Sequence, residues 1–178
     1  MPYKTYTNKK RALKNAKKII NETRCDAVKL EGGSSIIKII EHLIKNKIPV
    51  MGHLGILPQS VKGKFKFKGK KNNERNKILN DAKLLQKKGV FSIVLECVET
   101  TLAKQITKSL KIPTIGIGSS QNCDGQVLVI DDLIGLNKSK VKFVKKFGHI
   151  KNNISQAARS FKKEVLSKKY PSKKHSYN

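Results

Sequence analysis

Short apolar runs alternate along this chain with amphipathic stretches of roughly ten to fifteen residues. A helix of that length carries the backbone across a sheet and returns it parallel to the strand just left. Right-handed βαβ units and a parallel sheet therefore follow from the alternation. Ala12, Leu13, Ala16, Ile19 and Ile20 share one helical face. Residues 26–31 then read as the first strand. Ser34 or Ser35 is the expected cap of a helix whose apolar face holds Ile36, Ile37, Ile39, Ile40, Leu43 and Ile44. Residues 48–51 form the second expected strand, running into Gly52 and His53. A loop from Gly55 to about residue 71, with Pro58, Gly63 and Gly69, is longer than an ordinary connector and points to function. Ile78, Leu79, Ala82 and Leu85 mark the helix 74–88, which Gly89 ends. Residues 91–96 are the third strand, and a helix around Leu102, Ala103, Ile106 and Leu110 leads to the fourth, 113–117. A polar turn, 118–125, precedes a fifth strand at 126–130. Two closing helices carry Val141, Val144 and Phe147, then Ile154, Ala157, Ala158 and Phe161. The expected organisation is one domain over 1–178, with closing helices at about 139–169 and a polar tail at 170–178. Five parallel strands suit a small doubly wound fold or part of a (β/α)8 barrel, and the pattern fits both.

The chain of 178 residues carries 39 Lys+Arg against 12 Asp+Glu, a formal charge of +27. Nucleic acid is the first partner that such a balance brings to mind. The detail argues against a specific one. Arg11, Arg24, Arg75 and Arg159 are the only arginines, although base and phosphate recognition favours the planar guanidinium. Lys is instead spread along the whole chain. Cys25, Cys97 and Cys123 fit no zinc spacing; Cys25 and Cys97 adjoin strands and read as small core residues of a reduced, cytoplasmic chain. No apolar run is long enough to span a membrane.

Chemistry-bearing residues gather just after the strands. Lys29 and Glu31 follow strand one, His53 strand two, Glu96 strand three, and the 118–125 turn strand four. Both parallel architectures build their sites at that edge. Lys29 and Glu31 lie two apart and point the same way, as a structural ion pair also would. His53, between glycines, equally suits a hydrogen-bonded structural role. Glu96 is the best single candidate, because a carboxylate taken out of water at a strand end suits a general base. A salt-bridged core acid is the alternative.

Together these residues become recognisable. "VKLEGG" (28–33), "PVMGHLGILPQS" (49–60), "FKFKG" (65–69), "VLECV" (94–98) and "IPTIGIGSSQNCDGQVLVIDDLIGL" (112–136) resemble the ketopantoate hydroxymethyltransferase family, in its order and at compatible separations. The ending "YPSKKHSY" (170–177) resembles the family's tail. The resemblance implies a TIM-barrel type fold, here a partial barrel of about strands four to eight. It implies transfer of a hydroxymethyl group from 5,10-methylenetetrahydrofolate to 3-methyl-2-oxobutanoate, giving 2-dehydropantoate for pantothenate biosynthesis. By the same resemblance Glu96 is the proton acceptor, Lys29 and His53 bind substrate, Glu31 is a ligand of Mg²⁺, and the enzyme is a cytoplasmic homo-oligomer. Two further family ligands, both Asp, are expected upstream of Met1, since "MPYKTY" (1–6) resembles the stretch just after the second of them. The chain is thus expected to be an N-terminally truncated member. Asp131 and Asp132 are the only plausible substitutes. Ser119-Ser120 departs from the family's usual Ala-Gly pair. A catalytically incompetent fragment and a Lys-rich nucleic-acid-binding protein are the competing readings.

Overall fold

The computed structural model describes residues 1–60, 66–138 and 141–177. Gly63, expected within the long loop, lies outside the described residues. The first periodic stretch becomes α1 (Lys9–Thr23), capped by the Asn8 side chain, which accepts from the Arg11 N–H. Its Ala12 and Ala16 are fully buried, and α1 packs beside α2 (Ile37–Lys45). The strands are β1 (Val28–Glu31), β2 (Val50–Gly55), β3 (Ser92–Glu96), β4 (Thr114–Ile117) and β5 (Gly125–Gln126). Between them lie α2, α3 (Asn72–Lys87) and α4 (Thr100–Ser109), one after each of the first three strands.

All five strands are parallel and stand in sequence order, β1-β2-β3-β4-β5. A doubly wound sheet reverses its order at a switch point and carries helices on both faces. The observed order removes that alternative. Side chains alternate along each strand. Val28, Leu30, Val50, Leu54, Ile93 and Leu95 join Ile40, Leu43, Ile78, Ala82, Leu85, Leu102, Ala103 and Ile106 of the helices in one core. The alternate set contains Lys29, Glu31, Met51, His53, Val94 and Glu96, and none of these belongs to that core. One face of the sheet is therefore devoted to holding helices, and the other carries the candidate site residues.

Several expectations need correction. Neither Ser34 nor Ser35 caps with its side chain. Ser34–Ile36 form a 3-10 turn, and the Ser34 N–H donates to Asp81 Oδ1 on α3 at 3.0 Å. Asp81 is buried and pairs with Lys77 Nζ at 2.9 Å. A carboxylate from the next βα unit thus satisfies the free amide that a local serine was expected to satisfy. Gly33 makes room for it, since a Cβ there would sit 2.2 Å from Asp81 Oδ2. The second strand starts later than expected and runs through His53 to Gly55. The fifth is only Gly125–Gln126. It pairs with β4 on one side alone, so the following apolar residues gain no second ladder, and Val127 and Val129 are about half exposed.

Two compact units divide the chain, Met1–Val127 and Leu128–Asn178. In the second, a short helix α5 (Ile130–Leu133) occupies the end of the expected strand. The expected helix around Val141, Val144 and Phe147 does not form; the described residues there make a turn closed by the Val144 N–H on the Val141 carbonyl, and the Phe147 and Gly148 N–H groups bond back to the Leu133 carbonyl. The last expected helix is α6 (Ile150–Leu166).

Glu99 caps α4, accepting from the Thr101 and Leu102 N–H groups, and pairs with Arg75 at 2.9 Å. The Thr101 hydroxyl, then the Thr101 amide, with help from Leu102 and Arg75, hold its carboxyl down to about 2 from an ordinary 4.5. A depressed folded-state value stabilises the fold fully above the unfolded value and loses that contribution as pH falls. An acid titration of the melting temperature should show a loss between about pH 4.5 and 2 that Glu99→Gln flattens. An unchanged profile in the variant would remove Glu99 from the acid response.

Candidate functional site

The strand register decides which of the sequence-predicted residues meet. Glu31 opposes His53, and His53 opposes Val94. Glu96 lies two residues beyond Val94 and opposes Gly55. His53 and Glu96 are thus diagonal neighbours on one face of adjacent strands. Their side chains touch, with His53 Nε2 3.3 Å from Glu96 Oε2. The histidine side chain is 3 % exposed and the glutamate side chain 16 %. His53 Nε2 also donates to the Ile56 carbonyl at 2.9 Å, while Nδ1 is buried without a hydrogen-bond partner.

Gly55 makes that carbonyl available. With φ of +98°, it turns the chain sharply, so that the Ile56 N–H bonds the Glu96 carbonyl at 2.9 Å while the Ile56 carbonyl meets His53. Glu31 is half-buried and accepts from the Gln59 N–H at 3.1 Å. The Gln59 side chain donates to the Met1 carbonyl, and its own Oε1 is buried and unpartnered. Lys29 lies one pleat further back, opposite Met51, with an exposed side chain. Its carbonyl accepts from the Met1 ammonium at 2.6 Å. Burial first, and the Lys29 charge second, lower the pKa of that ammonium. Lys29 Nζ makes no ion pair among the described residues, so it is no structural partner of Glu31.

The long loop returns to the same edge. Its Lys68 N–H donates to the Cys97 carbonyl at 2.8 Å, and the Glu99 N–H donates to the Lys68 carbonyl at 2.8 Å. Cys97 sits in the left-handed region, φ 49°, directly after Glu96. Burial, with the Glu96 charge behind it, pushes its thiol up to about 11. The thiol is protonated near neutrality and is no nucleophile. Cys97 is buried as a strand neighbour should be, whereas Cys25 is half-buried. In the polar turn after β4, Ser119 Oγ donates to the Val98 carbonyl at 3.1 Å, and the buried Ser120 carbonyl accepts from Gln126 Nε2 at 2.8 Å. Ser119 therefore ties the ends of β3 and β4 together, and Ser120 ties the turn to β5. Asp124 in the same turn holds the first residue of β4, accepting from the Thr114 N–H at 2.8 Å.

Two neighbours of the predicted residues escaped the sequence reading. Gln59 braces Glu31, and Asp81 braces the turn that follows it. Gln59 stood inside a polar stretch of the long loop, which was a usable signal. Asp81 stood at a helical position beside Ala82 with no local cue.

The magnesium that the family resemblance implies does not find a complete site in these residues. Glu31 is one carboxylate, and among the described residues no group of three or more His, Cys, Asp or Glu side chains is placed to hold a metal. Mg²⁺ keeps several waters but is bound through one or two carboxylates together with its substrate. Asp131 and Asp132 lie in the other unit, in α5.

A family model described as Ketopantoate hydroxymethyltransferase matches residues 1–173. Curated proteins named 3-methyl-2-oxobutanoate hydroxymethyltransferase are also similar. The one from Pelagibacter ubique (strain HTCC1062) is 66% identical over 177 residues, covering 99% of this chain and 68% of the relative. One from Clostridium botulinum (strain 657 / Type Ba4) is 45% identical, covering 99% of this chain and 66% of its own. One from Anaplasma marginale (strain Florida) is 42% identical, covering 100% and 65%. The chain spans about two thirds of the length of these relatives. No helix among the described residues is long and apolar enough to cross a membrane. The match over nearly every residue, on a sheet whose C-terminal edge brings His53 against Glu96, makes this chain a member of the ketopantoate hydroxymethyltransferase family.

Proposed function

We propose that the chain serves the transfer of a hydroxymethyl group from 5,10-methylenetetrahydrofolate to 3-methyl-2-oxobutanoate, giving 2-dehydropantoate. The contact between His53 and Glu96, at the end of neighbouring parallel strands, carries this reading. Glu96 takes the proton from C3 of the keto acid. The C–H pair becomes the C2–C3 double bond and negative charge moves to the keto oxygen. The Lys29 ammonium, free of ion pairs among the described residues, meets the substrate's oxygens. Water cleaves the two C–N bonds of the folate's methylene carbon, its two protons go to the nitrogens of the departing tetrahydrofolate, the enolate carbon bonds to that carbon, and the proton taken by Glu96 completes the new hydroxyl. We assign the five strands to strands four through eight of a (β/α)8 barrel, with Glu31 directed at Mg²⁺. The unpaired ladder sides of β1 and β5 favour a homo-oligomer. Three free thiols favour the cytoplasm.

A second reading, that the chain is not competent by itself, is favoured by the single carboxylate at Glu31. One experiment separates the two. The chain is incubated with Mg²⁺ and 3-methyl-2-oxobutanoate in deuterated water. The incubation is repeated with the part of the Pelagibacter ubique relative that lies outside the match added. Loss of the C3 proton signal is followed in both. The expected result is slow exchange alone and fast exchange with the complement. Exchange in neither mixture rejects the first reading. Fast exchange alone rejects the second.

A further inference from the structure

The family resemblance describes His53 only as a substrate contact. We propose instead that it acts through Glu96, as a positioning residue whose ring orientation is fixed by the Ile56 carbonyl. A carbonyl oxygen only accepts, so the 2.9 Å contact requires a hydrogen on Nε2 in either charge state of the ring. That same nitrogen is the one 3.3 Å from Glu96 Oε2. The ring therefore presents its N–H side to the carboxylate and to the loop. Nδ1 remains, and in the neutral ring it is a bare acceptor. A neutral ring so held offers nothing to the carboxylate or keto oxygens of a keto acid, which are acceptors themselves.

The contacts close a ring. The Ile56 N–H is bonded to the Glu96 carbonyl, the Ile56 carbonyl to His53, and His53 reaches the Glu96 side chain. One backbone residue thus reads the position of the base through its main chain and corrects its side chain through the imidazole. The ring is almost fully buried, so its dipole acts on Glu96 with little screening. At present the hydrogen points at Ile56 and the carboxylate lies to one side. Such contacts often shorten when substrate arrives. This inference rests on Glu96 being the base.

The test has a spectroscopic arm and a kinetic arm. In the 178-residue chain labelled with ¹⁵N-histidine, the His53 signals should report hydrogen on Nε2. Glu96→Gln should shift the Nε2 signal strongly and leave the other histidines in place. Signals that assign the hydrogen to Nδ1 alone, or that ignore Glu96→Gln, overturn the proposal and leave the base assignment standing. In the complemented exchange assay, His53→Asn puts an amide near Nδ1 and removes the donor at Nε2, whereas His53→Gln reaches the Nε2 position. His53→Asn should lower kcat by about tenfold to a hundredfold, the range for partners that orient a catalytic group. KM for the keto acid should move less than about twofold, the mark of an interaction outside ground-state binding. His53→Gln should recover most of the loss. A raised KM at constant kcat in both variants makes His53 a direct substrate contact and overturns the proposal. If Glu96→Gln exchanges normally, the functional reading has failed instead. Should a His53 variant not fold, the labelled chain and its Glu96→Gln form still decide.

Discussion

Glu96→Gln lowers C3 proton exchange by about a hundredfold to ten-thousandfold, the usual contribution of a positioned general base. The amide matches the carboxylate in shape, keeps an acceptor near His53 Nε2, and disturbs no part of the helix-facing core, since Glu96 lies on the other face of β3. What it lacks is the lone pair basic enough to take a carbon-bound proton. The measurement is the rate of deuterium entry at C3 in the complemented protein. It needs no folate and so isolates the base from the one-carbon donor. The melting curve of the variant should overlay the parent. Exchange that survives within about a factor of three, less than one kcal/mol of barrier, would move the base elsewhere.

The second large effect is on stability. Gly55→Ala should destabilise the chain by about 2–4 kcal/mol, through backbone strain at positive φ plus overpacking. The added Cβ would land 2.1 Å from the Glu96 carbonyl oxygen and 2.7 Å from Val98 Cγ2, and the first of these is backbone that cannot step aside alone. Gly89→Ala is the matched control. Its φ of +90° imposes similar strain, but its Cβ would meet only Ile44 at 3.4 Å. The difference in denaturation midpoint between the two variants isolates the collision. Equal losses would mean that strain alone matters at Gly55. Because the turn at Gly55 delivers both Ile56 contacts, its variant should also slow exchange, which Gly89→Ala should not.

Much of this was legible in the residues. The apolar spacing of Ala12, Ala16, Ile78, Ala82 and Leu85 marks faces that are buried, and the runs ending at Glu31 and Glu96 are strands whose last residues sit at the C-terminal edge of the sheet. Periodicity works there because each face has a partner to bury against. It fails where partners are absent. The apolar residues from Val127 to Ile130 satisfy a strand pattern, yet β5 stops at Gln126 with one neighbour only. Val141, Val144 and Phe147 share a helical spacing without forming a helix, because spacing says nothing about whether a core waits for it. Asp81 was illegible for a different reason. Its task lies across the sheet at Ser34, and only the folded register brings a carboxylate from α3 to an amide after β1. The contact of His53 with Glu96 was half legible. Each residue stood at a strand end, but the diagonal offset that joins them is a property of the β2–β3 register.

The strict sequence order of the strands has a consequence for how the chain is made. Each strand pairs with the one synthesised just before it. Among β1–β5 no strand has to wait for a distant partner, so this part of the sheet can grow by adding one unit at a time to an edge already in place. β1 and β2 close over the single helix α2, and β3 and β4 over α4. The step from β2 to β3 must close α3 together with the long loop, and it carries the greater entropic cost. That same closure brings Glu96 beside His53. The joint with the greater closure cost is therefore the one that completes the contact of His53 with Glu96, which exists only once the third strand has emerged.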